Sequence, residues 1–122
     1  MAKKILIADD DLHIVHMLAN RLRKNNYDIV VASDGMQAIM MAHNENPDLI
    51  LLDFNMPGGR GSKVFENLQT SSKTVAIPVI FITAYPSEDI KEQVMGKGAF
   101  DFISKPFDSE ELLSKIRKAL GE

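Results

Sequence analysis

Short apolar runs alternate with segments of helical periodicity along the whole sequence. The apolar runs predict five strands, at Lys4–Ala8, Tyr27–Ala32, Asp48–Leu52, Pro78–Ile82 and Ala99–Ile103. After each strand, apolar residues recur at helical spacing, as in Val15, Ala19 and Leu22, which predicts five helices. Strict β–α alternation requires crossover connections. We therefore expect an α/β protein whose parallel sheet carries helices on both faces.

The composition of the strands predicts their order in the sheet. The first, third and fourth strands contain the runs ILIA, LILL and VIFI, and strands buried on both faces are continuously apolar in this way. The second strand contains Asp28 and the fifth contains Asp101, so we expect these two at the edges. The order 2-1-3-4-5 meets both conditions with right-handed crossovers. It defines a flavodoxin-like (βα)5 sandwich, which binds ligands at the carboxyl ends of the strands beside its switch point.

Length, charge and residue usage narrow the class of protein and of partner. From the length we expect one domain, residues 1–122, with no effector domain in this chain; a natural single-domain protein and a part of a longer protein both remain open. A formal net charge of −3, with dispersed basic residues, argues against a nucleic-acid partner. The apolar run after Lys3 and Lys4 ends at Ala8, which is too short for a signal peptide or a membrane span. Without cysteine, the chain is compatible with a reducing compartment, and we expect a soluble cytoplasmic protein.

Acidic side chains follow two strands that should be neighbours. Asp9 and Asp10 follow the first strand, and Asp53 follows the third. Adjacent strands lie about 4.8 Å apart, so the three carboxylates should share one pocket and repel each other. A hard divalent cation would relieve the repulsion, and Mg²⁺ suits oxygen ligands. The fourth and fifth strands bring Thr83 and Lys105 to the same edge.

These five residues suit phosphoryl transfer. The carboxylate of Asp53 can attack without losing a proton at neutral pH. A metal ion and the ammonium of Lys105 would neutralise the oxygens of the transferred group, and the hydroxyl of Thr83 would donate to one of them. The product would be an aspartyl phosphate, which water can remove, as a reversible switch requires.

Five signals in this order make the family recognisable: ILIADDD, LILLDFNMPGG, FITAYP, GAFDFISKPF and the helix after them. They resemble the receiver domain of two-component response regulators, the CheY-like family. The resemblance implies Mg²⁺ as the cofactor and a signalling switch rather than an enzyme with a turnover substrate. It also implies a sensor histidine kinase or phosphotransfer protein as the phosphoryl donor, and a downstream protein as the target.

The same resemblance assigns roles to individual positions. Asp53 matches the phosphoacceptor, and the remaining matches are Asp9 and Asp10 as metal ligands, Asn55 as a ligand through its backbone carbonyl, Thr83 and Lys105 as phosphate contacts, and Phe102 as the switch aromatic. The Lys105–Pro106 bond is expected to be cis, and Asp11 is expected to cap the first helix. The output surface would comprise the fourth helix, fifth strand and fifth helix, where alternating charges leave a phosphorylation-dependent homodimer open.

Two further positions bear on the phosphorylated state. Arg60 departs from the family pattern, and Tyr85 stands where the family tunes the lifetime of the phosphate. Arg60 stands where the loop after the phosphoacceptor usually carries an acid, within Pro57-Gly58-Gly59-Arg60-Gly61. One hypothesis is a mobile loop that is more positive near the phosphate; the simpler one is that Arg60 points to water. Tyr85, two residues after Thr83, could obstruct attacking water. The decay rate of the phosphorylated protein would test both hypotheses.

Three other classes of protein remain as alternatives. One is an interaction module with a vestigial site, but none of the acids, the threonine or the lysine is missing. A phosphatase with an aspartyl-phosphate intermediate would need a second acid where Asn55 stands, and a cap domain. A flavin-binding protein would need a phosphate-binding loop, and its phosphate would be repelled by the carboxylates at the switch point.

Overall fold

The computed structural model describes residues 2–56, 60–84 and 87–122. Its strands are β1 Lys4–Ala8, β2 Asp28–Ala32, β3 Leu49–Asp53, β4 Val79–Thr83 and β5 Asp101–Ser104. Its helices are α1 Leu12–Lys24, α2 Gly35–Glu45, α3 Gly61–Gln69, α4 Glu88–Gly96 and α5 Ser109–Ala119. The predicted boundaries of β2 to β5 are wrong by one or two residues. Apolar residues mark where the chain is buried, whereas a strand begins and ends where its backbone hydrogen bonds do.

The five strands form one parallel sheet in the order β2-β1-β3-β4-β5, as predicted. Every residue of β3 and β4 is buried, whereas β2 begins with the exposed Asp28, and β5 has only Ile103 buried. The continuous apolar runs therefore mark the interior strands, and the two strands with an aspartate are the edges. The chain has the flavodoxin-like α/β fold.

Two apolar layers enclose the sheet. Val15, Leu22 and Ile116 of α1 and α5 pack with Ile7 and Leu51 on one face. Residues of α2, α3 and α4 pack against the other face, around Phe81. No helix in the described ranges is both long and apolar enough to cross a membrane.

The connections at the carboxyl edge are held by local hydrogen bonds. Asp11 caps α1 as predicted, because its carboxylate accepts the backbone N–H groups of His13 and Ile14. After β3, the backbone N–H of Gly61, the first residue of α3, donates to the carbonyl of Phe54 at 2.8 Å. Both contacts fix the start of a helix close to the end of a strand, which is where the candidate site lies.

Candidate functional site

The ends of β1 and β3 bring three carboxylates together. Asp9 and Asp10 follow β1 directly, and Asp53 is the last residue of β3. One carboxylate oxygen from each of the three lies within 4.8 Å of the others. Asp9 and Asp53 are only 1% and 5% exposed, whereas Asp10 is exposed at the mouth. The predicted acidic pocket is therefore present, and it opens to solvent on the side of Asp10.

Backbone groups orient the two buried carboxylates. The N–H of Asp11 donates to Asp9 Oδ1 at 2.9 Å, and the N–H of Asn55 donates to Asp53 Oδ1 at 3.3 Å. The backbone N–H of Asp9 is itself bonded to the carbonyl of Ala32 at the end of β2. Each carboxylate thus keeps its second oxygen, Oδ2, for other partners in the pocket.

Lys105 supplies positive charge to both of these oxygens. Its Nζ lies 2.9 Å from Asp9 Oδ2 and 3.8 Å from Asp53 Oδ2. The lysine is positioned by its own backbone, whose N–H donates to the carbonyl of Thr83 at 2.7 Å, and the Lys105–Pro106 bond is cis as expected. The ammonium therefore contacts both buried acids and lies closer to Asp9 than to Asp53.

Burial makes the ionised form of Asp53 costly. It is the main cause that raises the pKa of Asp53 from 3.8 to about 6, and the charge of Asp9 adds to the rise. Lys105 and the N–H of Asn55 oppose the shift, but they do not cancel it. A further cation in the pocket would favour the carboxylate form that a nucleophile requires.

The donor set fits a hard divalent cation. All three side chains offer carboxylate oxygens, and one ammonium compensates only part of their charge. Asp9 Oδ2 is fully buried and makes no directed hydrogen bond within the described part of the chain, although it pairs with Lys105. A metal ion with several retained waters would satisfy such an oxygen, so the pocket can bind Mg²⁺.

We expect Asp53→Asn to stabilise the metal-free protein. The pKa of Asp53 is raised on folding, so the folded state binds more protons between about pH 4 and 6, and the carboxyl costs stability as pH rises through that window. Allowing for solvent screening at the pocket mouth, the variant should gain about 1 to 2 kcal/mol at pH 8. The gain should be small at pH 4 and vanish below about pH 3, where the aspartate is protonated in both states.

Thermal unfolding of both proteins in EDTA, from pH 4 to pH 8, measures this difference. The expected gain corresponds to roughly 4 to 8 °C in melting temperature for a chain of this size. A gain that does not depend on pH would show that the cost of ionising this buried carboxyl is not its cause.

The remaining predicted residues lie at the carboxyl edge of the sheet or on the elements next to it. Thr83 ends β4 and is fully buried, and Asn55 is exposed two residues after Asp53. Phe102 is half-buried on β5, where it packs against the core and pairs in register with Phe81. Arg60 is exposed and makes no side-chain capping bond to α3. Tyr85 and the loop residues 57–59 lie outside the described residues.

Sequence reasoning missed the role of Gly61. Its neighbours indicate a glycine-rich loop, but a Cβ atom at this position would lie 2.7 Å from the carbonyl oxygen of Asp53 and 2.8 Å from Phe54 Cα. The start of α3 therefore approaches the backbone of the site more closely than any other residue type allows. No local signal distinguishes this glycine from one that only permits a turn.

Comparison with known proteins agrees with this geometry. The family model of the response regulator receiver domain matches residues 5–117. A putative response regulator from Chloroflexus aurantiacus J-10-fl is 27% identical, with 100% of each chain covered and a TM-score of 0.94. The chemotaxis protein CheY4 of Vibrio cholerae is 28% identical over 98% of this chain and 100% of its own, with a TM-score of 0.92.

A third structure shares the fold at lower identity. It is the receiver domain of a sensor histidine kinase from Pseudomonas aeruginosa PAO1, 24% identical, with 100% of each chain covered and a TM-score of 0.91; that protein holds a magnesium ion in its active site cleft.

The chain belongs to the response regulator receiver domain family, and it is CheY-like. Members of this family are two-component signalling switches rather than classical enzymes.

Proposed function

We propose that this receiver domain accepts a phosphoryl group on Asp53, with Mg²⁺ held by Asp9, Asp10, Asp53 and the backbone carbonyl of Asn55. One observation carries the proposal: Asp53 ends a buried strand with its carboxylate beside two other acids and 3.8 Å from an ammonium. The ionised carboxylate of Asp53 is costly here, since burial raises its pKa to about 6. It suits a nucleophile whose product carries more negative charge than the free acid.

The proposed transfer starts from a phosphohistidine on a sensor kinase or phosphotransfer protein. An oxygen of Asp53 attacks phosphorus, the P–N bond breaks, and the leaving imidazole takes up a proton. Lys105 and the hydroxyl of Thr83 contact the phosphoryl oxygens, and bound Mg²⁺ supplies additional positive charge there. Later attack of water on phosphorus releases inorganic phosphate and restores the carboxylate, so the modification is reversible.

Signal output would pass from Thr83 to β5. Thr83 ends β4, and Phe102 lies on the adjacent strand β5. The two strands pair in register, Thr83 with Ser104 and Phe81 with Phe102. Movement of Thr83 toward a phosphoryl oxygen would leave space beside β4. The half-buried Phe102 can enter that space without burying a polar group. The α4-β5-α5 surface would change shape as a result and bind a downstream protein.

A homodimer through the same surface would use its alternating charges. One of these charges already has a partner within the chain, since Lys115 Nζ lies 3.0 Å from Asp101 Oδ1. Lys91 and Glu111 line the same groove and would be the first candidates for pairs between two copies. We also propose a cytoplasmic location, which is typical of receiver domains.

Intact-mass measurement after incubation with acetyl phosphate tests the acceptor. We expect a gain of one phosphoryl group, about 80 Da, that requires Mg²⁺ and is lost in Asp53→Asn. The matched control is Asp101→Asn, which removes a half-buried acid on β5 outside the pocket and should leave the modification intact.

Absence of modification both with acetyl phosphate and with a phosphorylated sensor kinase core would contradict the proposal. The vestigial interaction module would then be the better interpretation. Modification that persists in Asp53→Asn would place the acceptor elsewhere.

A further inference from the structure

Helix α4 is held to the core by less apolar burial than the other helices. Val94 is its only buried residue, whereas α1 buries four residues, and α2 and α5 bury three each. Ile90 adds a half-buried contact one turn before Val94. With so little apolar surface removed from water, the position of α4 depends on its polar contacts to a greater extent than that of its neighbours.

The C-terminal end of α4 is closed by a compact turn. The N–H of Gly98 donates to the carbonyl of Met95 at 3.1 Å, and the N–H of Ala99 donates to Val94 at 3.1 Å. Gly98 has a φ of +104°, which favours glycine at this position. In this turn, no backbone N–H of the described residues donates to the carbonyl of Lys97.

Two side chains of α3 bind this end. Gln69 Nε2 donates to the carbonyl of Lys97 at 2.5 Å, and Lys97 Nζ lies 2.7 Å from Glu66 Oε1. Glu66 and Gln69 are three residues apart on one helix and therefore lie on the same side of it. We call Glu66, Gln69 and Lys97 the α3–α4 contact. It joins the two helices beside Val94, the buried residue of α4.

The two bonds of the α3–α4 contact differ in strength and in salt dependence. A hydrogen bond from Lys97 lowers the pKa of Glu66, but both charges are exposed, so salt should screen this pair. The bond from Gln69 is directional and satisfies a carbonyl at a helix end, where unpaired groups are costly. Gln69 should therefore be the main anchor.

The N-terminal end of α4 is attached differently. Ser87 caps it by accepting the N–H of Ile90 at 3.1 Å, which is a bond within the helix and not to a neighbouring element. Glu88, Asp89 and Lys91 are exposed. Ser87 stands four residues after Thr83 in the sequence, so this end is the one connected to the acceptor site.

We propose that Gln69, assisted by Glu66, is a positioning residue that holds the C-terminal end of α4 in place, so that a change at the acceptor site displaces the N-terminal end alone. The anchoring itself follows from the contacts above. The displacement rests on the proposed function of Asp53. Gln69 would thereby determine which part of α4 responds and, with it, the shape of the output surface.

Hydrogen exchange of the full chain, followed by mass spectrometry, tests the anchor without any ligand. In Gln69→Ala we expect the amides of residues 94–100 to exchange about three- to tenfold faster, whereas those of α1 and α5 do not change. Glu66→Gln should have a smaller effect that disappears at high salt. The matched control is Gln93→Ala, an exposed glutamine of α4 whose side chain has no hydrogen bond within the described ranges.

The same measurement with Mg²⁺ and the phosphoryl analogue beryllofluoride tests the displacement. In the unmodified protein the analogue should change exchange in residues 87–91 and not in 95–99; in Gln69→Ala the change should spread through the helix. Equal exchange in Gln69→Ala and Gln93→Ala without ligand would overturn the anchor. An unchanged pattern with the analogue would overturn the displacement. If the analogue alters no exchange even around Asp53, the proposed function fails and the displacement with it, while the ligand-free comparison still decides the anchor.

Discussion

Lys105→Met should destabilise the metal-free protein by about 2 kcal/mol at neutral pH, because it leaves buried acids without their cation. The ammonium contacts Asp9 at 2.9 Å and Asp53 at 3.8 Å, and Asp9 is 1% exposed. The loss is limited because the pocket can take up a proton instead, as the raised pKa of Asp53 indicates. Addition of Mg²⁺ should restore much of the lost stability, since a ligand that binds only the folded state stabilises it.

The same substitution should slow phosphorylation by acetyl phosphate about a hundredfold or more at saturating Mg²⁺. Methionine keeps the length of the side chain but has no charge to place against the phosphoryl oxygens. Melting temperatures in EDTA and in Mg²⁺, together with the rate of mass gain, measure both effects.

The matched control for Lys105→Met is Lys115→Met. This lysine also forms an ion pair with an aspartate, Asp101, at 3.0 Å, but the two side chains are 24% and 30% exposed. Its loss should cost less than about 1 kcal/mol and leave the rate of phosphorylation unchanged. Equal melting temperatures of the two variants without metal would contradict the electrostatic account of the pocket.

Gly61→Ala should destabilise the fold by about 2 to 3 kcal/mol, or roughly 8 to 12 °C in melting temperature. The added Cβ would meet the backbone of Asp53 and Phe54 at 2.7 and 2.8 Å, and the ring of Phe81 at 3.1 Å. Backbone atoms cannot adopt another rotamer as a side chain can, so α3 or the end of β3 must shift. Since β3 ends at Asp53, we also expect Mg²⁺ to bind the variant more weakly.

Gly96→Ala is the control for this substitution. Gly96 is the last residue of α4, and a Cβ there would have no neighbour within 4 Å. Alanine is the better helix former, so this variant should be as stable as the original or more stable by up to about 1 kcal/mol. Thermal unfolding of the two variants measures the difference in stability. A melting temperature of Gly61→Ala close to that of Gly96→Ala would contradict the prediction, because it would mean that α3 can shift at little cost in free energy.

The predicted fold and the observed fold agree because the determining signals are local. An apolar run of about five residues marks a strand, and apolar residues three or four apart mark a helix. Asp28 and Asp101 mark the edge strands because an edge tolerates a charge that an interior strand does not. Strand boundaries were less accurate, because β5 begins at Asp101 and not at the buried Ala99.

The acidic pocket was predictable for a different reason. A parallel sheet brings the carboxyl ends of its strands to one edge, so residues that directly follow β1 and β3 must meet there. To predict that Asp53 lies in this pocket, only its place in the sequence and the strand order were required. The roles of the individual residues, including those of Asn55, Thr83 and Phe102, came from the family resemblance and stay predictions.

The sequence by itself determined the order of elements, the edges of the sheet and the set of residues at its carboxyl edge, because periodicity and strand order depend on residue type and spacing. Only the tertiary structure decided three finer features. Lys105 lies nearer to Asp9 than to Asp53, Gly61 has no room for a side chain, and Gln69 binds the end of α4. Each is a distance of a few ångströms between segments far apart in the chain, which packing of the whole molecule sets and no local pattern encodes.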